Sequence, residues 1–300
     1  MANVSLRPDT RSNADRGQLI LVTGFAIAVV LLALVLLLNT AIYTENIATR
    51  STTDDTREAV EIHATVESSI GSYIDRKNEA IANDSSSHSL TDVESEVAAV
   101  SAPHEERSLR HGQILSIEYG GQTDGTKIAS VDEGNITSTA DPVEFLTNAT
   151  NTRAFEVTLT SLPEENNKTQ ILITDAETGS ITEIDLYQDD TGAFVVASED
   201  ETCTTTAADP VFALSDGQFG DQPCGVRWPA VTTHSISIVN GSATTGELSL
   251  VTHGAEEVTT DDERLTESDA VYNINASVVY VTDRLEYSTE LRIAPGEPDV

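Results

Sequence analysis

The chain has 300 residues, of which 50 are acidic and 16 are basic, so its formal net charge is −34. This length is sufficient for one or two domains with a buried core. The negative charge argues against nucleic acid as a partner, because an acidic surface repels phosphate groups. We therefore predict a folded protein that does not bind nucleic acid.

The negative charge is concentrated after residue 50. Residues 1–50 carry four basic and three acidic side chains, whereas residues 51–300 carry 12 basic and 47 acidic ones. An acidic surface with only three lysines (Lys77, Lys127 and Lys168) stays hydrated in molar salt, where a Debye length of about 3 Å screens its self-repulsion. The composition therefore indicates an extremely halophilic source and a fold that is lost at low salt. A disordered acidic chain is the alternative, but the regular apolar spacing described below favours a folded one.

Residues 19–38 (LILVTGFAIAVVLLALVLLL) contain no charged side chain. A helix of about 20 residues spans about 30 Å, the thickness of the hydrocarbon core of a bilayer. A secretory signal peptide is the competing interpretation, but its apolar region is usually about 7–15 residues long and ends in a small-residue cleavage site. Residues 39–43 offer no such site, so we predict a retained transmembrane helix over residues 19–42, with the lipid bilayer as its partner.

The arginines around this helix predict its orientation. Arg7, Arg11 and Arg16 precede the helix, and Arg50 is the only basic residue among the 18 that follow it. The positive-inside rule places the arginine-rich end in the cytoplasm. The sequence therefore predicts a single-pass cell-membrane protein whose bulk is extracellular.

A short motif, DRGQL, lies directly before the apolar run. It resembles the class III signal of archaeal type IV pilin-like proteins, which implies cleavage between Gly17 and Gln18, with Arg16 as the preceding charge. In that family the apolar helix then serves as an anchor or as a filament core. One departure is Val22 at the fifth mature position, where bacterial-type pilins carry glutamate, so the resemblance supports processing better than filament assembly. The alternative is that Arg16 and Gly17 are an ordinary flanking charge and hinge.

A broader resemblance rests on the RGQLILVTG opening, the NTAIYTENIATR segment, the late cysteine pair and the closing LRIAPGEPD. In these features the chain is similar to uncharacterised haloarchaeal membrane-anchored exported proteins. The resemblance implies a location and an architecture but no activity. Pilin-like proteins and envelope glycoproteins are the partners that it implies.

Two amphipathic helices are predicted after the membrane. Apolar residues recur at helical spacing from Ile62 to Ile81, in a helix that we expect to restart at a cap on Thr53 or Asp54. This face is expected to lie on the globular domain, with a coiled-coil partner as the alternative. The second helix is expected to begin with a capping box that starts at Thr91 and to end near Gly112.

From Gln113 onward the apolar period changes to two, which is typical of half-buried strands. The strand candidates are residues 113–119, 154–160, 170–174, 181–187, 193–197, 235–239, 247–251, 271–281 and 285–293. The sequence therefore predicts an α+β fold with a transmembrane helix, two amphipathic helices and an antiparallel sheet or sandwich. The expected organisation is a cytoplasmic basic segment (1–18), the transmembrane helix (19–42), a helical stalk (43–112), a β-rich extracellular domain (113–293) and a flexible tail (294–300).

The two cysteines, Cys203 and Cys224, lie 21 positions apart. Outside the cell such a pair is most simply a disulfide, and we expect Trp228 to pack against it. Six N-glycosylation sequons occur in residues 51–300, where chance would give about two, so we predict a glycoprotein. The sequons begin at Asn83, Asn135, Asn148, Asn167, Asn240 and Asn275, of which Asn275 is the least favourable because it lies in a predicted strand.

No catalytic or metal-binding constellation is found in the sequence. His104-Glu105-Glu106 begins like a metalloprotease helix, but His111 is about 10 Å away along the axis, too far for one zinc ion. Residues 216–221 are the best calcium candidate, yet they lack the EF-hand ligand pattern. We therefore expect no catalytic residues, no metal, no cofactor and no enzymatic activity.

The expected function is structural or interactive: a cell-surface glycoprotein, in its most specific form a minor pilin-like subunit or accessory. A ligand-binding or sensory ectodomain is the alternative, and an exported hydrolase that uses scattered carboxylates is the less favoured one.

Overall fold

The structure is a computed structural model that describes residues 11–85, 87–259 and 262–298, without the side chains of residues 11–18 and 41–56. The chain divides into two compact units, Met1–Val60 and Glu61–Val300. An apolar N-terminal helix is followed by further helical segments and by antiparallel sheets, so the predicted α+β class is confirmed.

Helix α1 runs from Arg11 to Asn83. The predicted restart at Thr53 or Asp54 is wrong, because the backbone is helical throughout this stretch. The polar residues there have modest helix propensity, but residues 41–60 include no glycine or proline that would break the helix. The predicted amphipathic face is present in the second unit, where Val66, Ile70 and Ile74 are buried.

Helix α2 runs from Val93 to Arg110 and continues through Pro103. A 3₁₀ turn over Leu90–Asp92 precedes it, and the Ser89 hydroxyl accepts the N–H of Thr91 at 3.4 Å. Ser89 therefore caps the 3₁₀ turn, whereas the N-cap of α2 itself is Asp92, one residue after the predicted cap. The chain leaves the helix at Gly112, whose φ of +77° is favourable for glycine.

Sixteen strands follow in the described residues. They are β1 (Ile114–Ser130), β2 (Gly134–Asn135), β3 (Val143–Ala149), β4 (Asn151–Ser161), β5 (Thr169–Asp175), β6 (Ile181–Gln188), β7 (Phe194–Ala197), β8 (Thr202–Thr205), β9 (Val211–Ala213), β10 (Gln218–Phe219), β11 (Gln222–Pro223), β12 (His234–Val239), β13 (Thr245–His253), β14 (Glu257–Val258), β15 (Leu265–Val281) and β16 (Glu286–Ile293).

These strands form two antiparallel sheets within the described part of the chain. The nine-stranded sheet has the order β11-β10-β9-β4-β13-β1-β15-β16, with β2 paired to β13, and the seven-stranded sheet has the order β14-β3-β12-β5-β6-β7-β8. One apolar cluster takes side chains from both sheets, such as Phe145 and Ile236 from the smaller sheet and Phe155 and Leu250 from the larger one. The β-rich unit is therefore a sandwich.

The helices of the second unit contact the nine-stranded sheet through side-chain amides and carboxylates. Asn78 of α1 donates to the carbonyl of Val271 at 3.0 Å and accepts the N–H of the same residue at 2.7 Å. Glu105 of α2 accepts the N–H of Ile117 at 2.8 Å. These bonds fix the helices on β15 and β1, the two long strands of the sheet.

Candidate functional site

The first candidate site is the apolar segment of α1, defined here as Leu19–Thr40. Its 22 residues are long and apolar enough to cross a membrane, and every side chain in it is exposed. The hydroxyls of Thr23 and Thr40 donate to the carbonyls of Leu19 and Leu36 at 2.7 and 2.9 Å. The segment thus satisfies its own polar groups, as an environment without water requires.

The predicted processing residues Arg16, Gly17 and Gln18 lie in the helical backbone of α1. Their side chains lie outside the described ones. Cleavage after Gly17 and the cytoplasmic position of residues 1–18 therefore stay predictions.

Cys203 and Cys224 form the predicted disulfide, with their Cα atoms 5.7 Å apart. Cys203 lies in β8, the edge strand of the seven-stranded sheet, and Cys224 directly follows β11, the edge strand of the nine-stranded sheet. The bond therefore joins the two sheets at one border of the sandwich. Closing a loop of this length stabilises the fold by roughly 3 kcal/mol on the chain-entropy model.

Trp228 lies in the same core cluster as Cys224. Its ring centroid is 6.2 Å from that of Phe155 and 5.0 Å from that of His234, and the indole and imidazole are edge to face. Trp228 thus stacks with Phe155 and His234, and its packing against the disulfide stays a prediction.

His234 is a buried polar residue that the sequence analysis missed. It is 1% exposed, and its Nε2 lies 2.9 Å from the hydroxyl of Thr152. Its Nδ1 has no hydrogen-bond partner among the described residues. Burial lowers the pKa of His234 to about 4, so the imidazole is neutral at physiological pH.

Four of the six sequon asparagines are exposed: Asn83, Asn135, Asn167 and Asn275. Asn275 lies in β15 as expected, yet its side chain faces solvent. The exposed amide nitrogen, which is the atom that carries the glycan, is the geometric requirement for a modified site. Position in a strand is therefore no obstacle at Asn275.

Three of the six amide nitrogens are engaged: that of the exposed Asn83, which donates to the carboxylate of Glu79 at 3.0 Å, and those of the two remaining sequons. That of Asn240 donates to the carbonyl of Asn167 at 2.6 Å, and that of Asn148 donates to the carboxylate of Glu256 at 2.6 Å. Both residues have positive φ, of 59° and 49°. Asn240 directly precedes the 3₁₀ turn Gly241–Ala243, whereas Asn148 lies in β3 where its pairing with β12 is irregular.

Arg153 is the second buried polar residue that the sequence analysis missed, and its guanidinium is fully buried. Its Nε, Nη1 and Nη2 donate to the carbonyls of Tyr272, Pro295 and Val271 at 2.8, 2.6 and 2.9 Å. The Asp75 carboxylate is 3.6 Å away. Burial lowers the pKa of Arg153, and Asp75 opposes this effect.

The 294–298 segment was expected to belong to a flexible tail, but side chains and backbone of the β-rich unit hold it. Besides the bond from Arg153 to Pro295, the N–H of Ala154 donates to the carbonyl of Gly296 at 2.7 Å. Glu297 accepts the Tyr272 hydroxyl at 2.7 Å and also pairs with Arg292. The two residues after this segment lie outside the described ones.

A cleft of about 360 Å³ borders Arg153 and is lined by the carboxylates of Asp75, Glu79, Glu156 and Asp216. Desolvation raises the pKa of Glu156, and repulsion from Asp216 and Asp75 adds to this rise. Desolvation also raises the pKa of Asp75, against the attraction of Arg153, although 58% of that side chain is exposed. The cleft therefore combines two cations, Arg153 and Lys127, with two carboxyls of raised pKa, Glu156 and Asp75, whereas the bond to Lys127 lowers the pKa of Glu79.

The three lysines are each paired with a carboxylate: Lys77 with Glu96, Lys127 with Glu79 and Lys168 with Asp185. His104 lies 3.2 Å from the Ser69 hydroxyl. Among the described residues, no group of three or more His, Cys, Asp or Glu side chains could hold a metal ion.

Residues 13–134 match the model of a family of unknown function, DUF7261. The match covers less than half of the chain: the apolar segment, both long helices and β1. No curated protein matches the chain, and no solved structure does. The disulfide, Arg153 and His234 all lie beyond the matched residues.

Sequence periodicity contains a signal for one of the two missed residues: His234 shares a phase of the β12 alternation with buried Ile236 and Ile238. Arg153 has the same spacing from Phe155 in the sequence, but Ala154, with φ of +50°, and the register shift between Ser249 and Val251 break the alternation there. A polar residue at an apolar phase predicts a buried polar group that needs partners.

Proposed function

We propose that this chain is a membrane-anchored cell-surface glycoprotein with a structural or interaction role, in its most specific form a minor pilin-like subunit. The observation that carries the proposal is the apolar segment Leu19–Thr40, whose side chains are all exposed. Such a surface is costly in water and favourable in a bilayer. The helix therefore anchors the protein in the membrane, and the β-rich unit is the part that is available to interact at the cell surface.

The charge pattern supports the direction of insertion. Residues 1–50 have a balance of +1 and residues 51–300 a balance of −35, from the counts of basic and acidic side chains. Positive charge favours the cytoplasmic side of a span. The β-rich unit then lies outside the cell, where a disulfide persists and where exposed sequons meet the glycosylation machinery.

The pilin-like form of the proposal depends on the RGQL motif directly before the apolar segment. Processing after Gly17 would leave the apolar helix at the mature N-terminus, where it can pack with other such helices in the bilayer. Small side chains in this segment, such as those of Ala26 and Ala28, allow close approach of helices.

Mass spectrometry of the protein purified from its native membranes tests the anchor and the processing. We expect a mature terminus at Gln18 for the wild type and for a Gly24→Val control, because a Cβ at Gly24 meets no atom within 4 Å. Gly17→Val is expected to retain the first 17 residues. A wild-type chain that begins at Met1 or Ala2 would contradict pilin-type processing, and one that begins beyond residue 38 would contradict the anchor.

The same peptides test the glycoprotein assignment. We expect glycans at the exposed Asn135, Asn167 and Asn275, which would also place the β-rich unit outside the cell. Asn240 is expected to be unmodified, because its amide nitrogen is bonded to Asn167. Unmodified peptides at all six positions would remove glycosylation from the proposal and leave the anchor standing.

A further inference from the structure

Strand β16 differs from the other three edge strands of the sandwich. Within the described residues, β11 and β16 end the nine-stranded sheet, and β14 and β8 end the seven-stranded one. β11 and β14 have two residues each, and β8 has four residues and is joined to the other sheet through Cys203. Short edges of this kind disfavour pairing with a further strand. β16 has eight residues and is the one long edge in the described part of the chain.

The backbone of β16 is regular along its whole length. Each residue from Glu286 to Ile293 is opposite one residue of β15, without a register shift. The strand contains no proline, lysine or bulge, which are common means of protecting an edge. Successive residues of an antiparallel strand direct their N–H and C=O groups to alternate sides, and the outer side of β16 faces no other strand of the described residues. This row of outward groups is a template for one more strand.

The alternation of side chains limits how a second copy of β16 can pair with it. The even-numbered residues are exposed, whereas Leu291 and Ile293 of the odd-numbered face are buried. Antiparallel pairing about a two-fold axis places residues of the same face opposite each other. Seven residues of the strand pair only when the axis passes through Thr289 (residues 286–292) or through Glu290 (residues 287–293). The second arrangement places two Glu290 carboxylates opposite each other, which is unfavourable.

The register centred on Thr289 has no like charges opposite each other. Glu286 lies opposite Arg292 of the second copy, and Tyr287 lies opposite Leu291 of the second copy. By symmetry each of these pairs occurs twice. Opposite charges and pairs of an aromatic and an aliphatic side chain are favourable across strands. The sequence of β16 is therefore complementary to itself in this register.

The electrostatics of the contact allow a second copy to approach. Arg292 bonds to Glu297 through two of its five N–H groups, and 47% of its side chain is exposed, so it retains donors for the carboxylate of Glu286. The balance of −35 over residues 51–300 opposes association of two copies. In molar salt a Debye length of about 3 Å screens this repulsion. Association is therefore expected in molar salt.

From the long unprotected edge and the register without like charges, we propose that two copies of this chain associate through β16, antiparallel and with Thr289 on the two-fold axis. The pairing joins their nine-stranded sheets into one continuous sheet. It uses the β-rich unit alone, so it is independent of the anchor, of processing after Gly17 and of the glycans.

Disulfide cross-linking of the full-length Thr289→Cys variant, in native membranes and molar KCl, tests the proposal. Cys203 and Cys224, the only cysteines of the wild type, are bonded to each other, so the introduced thiol is the only free one. Directly opposed residues have Cα atoms about 4.5–5.5 Å apart, within the range of about 4.4–6.8 Å that a disulfide spans. We expect copper phenanthroline to produce a species of twice the mass of the chain.

Ser288→Cys is the matched control, because it places the thiol one residue away on the same strand. In the proposed register the two copies of this residue lie on a diagonal, about 7–8 Å apart, and a disulfide above about 7 Å requires backbone movement. We expect about tenfold more cross-linked dimer for Thr289→Cys than for Ser288→Cys. Circular dichroism establishes that both variants are folded.

Three results would overturn the proposal. Equal yields for the two variants would indicate random collision, and a higher yield for Ser288→Cys would indicate another register. A product of a different mass would replace the second copy by another protein. None of these results would change the mature N-terminus or the glycosylated peptides, so the proposal can fail without the function proposed above.

If Thr289→Cys does not fold, hydrogen exchange of the wild type in detergent and molar KCl decides the question. The amides of Glu286–Ile293 are expected to exchange more slowly when the protein concentration is raised, because the outward N–H groups then pair with a second copy. The amides of the short edge Thr202–Thr205 are expected to stay unchanged. Exchange in Glu286–Ile293 that does not depend on concentration would also contradict the dimer.

Discussion

The apolar segment and the β-rich unit place their side chains in opposite ways. In Leu19–Thr40 every apolar side chain is exposed, whereas in Glu61–Val300 the guanidinium of Arg153 is fully buried and Lys77 is 5% exposed. No part of the apolar segment is buried against the described residues, so its side chains are expected to pack against lipid. The β-rich unit can bury a cation because backbone carbonyls replace its water.

The comparison teaches that the mean hydropathy of a long segment predicts whether lipid or water surrounds it, whereas the polarity of one residue does not predict whether that residue is buried. For a uniformly apolar run such as residues 19–38, length and composition alone are enough to predict a lipid environment. A single arginine in a strand is buried or exposed according to the partners that the rest of the fold brings to it. Three substitutions or conditions test this difference, and the largest effect is expected inside the β-rich unit.

Arg153→Ala is expected to lower the free energy of unfolding by about 3–5 kcal/mol, because it removes a fully buried side chain that donates to three carbonyls, of which only that of Val271 keeps another side-chain donor, Asn78. Urea unfolding followed by Trp228 emission in molar KCl measures this loss. The control, Arg284→Ala, removes a side chain that is 52% exposed and pairs only with its neighbour Asp283. It is expected to change stability by less than about 0.5 kcal/mol. Equal losses in the two variants would contradict the role of the three carbonyls.

Val30→Arg places the same kind of cation at the centre of the apolar segment, where every described neighbouring side chain from Leu19 to Thr40 is uncharged. Insertion is expected to become less favourable by about 2.5–3.5 kcal/mol, the cost of arginine at the middle of a transmembrane helix. Sedimentation of membranes followed by immunoblotting measures the membrane-bound fraction. Val60→Arg, in the same helix at a residue that is 64% exposed, is the control and should leave that fraction unchanged. Retention of both variants at the wild-type level would argue against a membrane role for the segment.

Acidification is expected to have the smallest effect, through His234. Its pKa is about 4 in the folded state and 6.5 ordinarily, so the unfolded state binds more protons between these values. Stability must therefore fall as the pH is lowered through this window, by about 2 kcal/mol from pH 7 to pH 5.

The difference between the wild type and His234→Gln isolates this contribution from that of the carboxyls. Urea unfolding at the two pH values measures it. His111→Gln is expected to keep the wild-type dependence. An unchanged pH dependence in His234→Gln would show that the buried imidazole is not the titrating group.

Most strands could be predicted from alternation, yet β1 was predicted to end at residue 119 and continues to Ser130. The sequence GGQTDGT has the composition of a turn, and in the fold these glycines serve a strand. Gly121 has φ +118° at a bulge opposite Asn275, and a Cβ on Gly125 would lie 2.4 Å from the carbonyl of Thr252. Close approach of the neighbouring strand β13 therefore explains a glycine that sequence rules assign to a turn.

The candidate sites divide in the same way. The apolar segment and the disulfide follow from length, composition and the cysteine count, which are properties of the chain itself. Arg153 and His234 depend on partners more than 80 residues away, such as Thr152 for His234. The phase of His234 in β12 indicates burial. The bulge that sets the face of Arg153 and the carbonyls and hydroxyls around both residues come from the tertiary fold.

Arg153 is synthesised well before the residues whose carbonyls accept its hydrogen bonds, which affects when the β-rich unit can fold. Val271 and Pro295, two of its acceptors, follow it by 118 and 142 residues in the chain. Until the ribosome has made the second of them, the guanidinium keeps its own hydration shell, and β4 cannot reach its final packing. The β-rich unit is therefore expected to complete its fold only after the 294–298 segment has been synthesised.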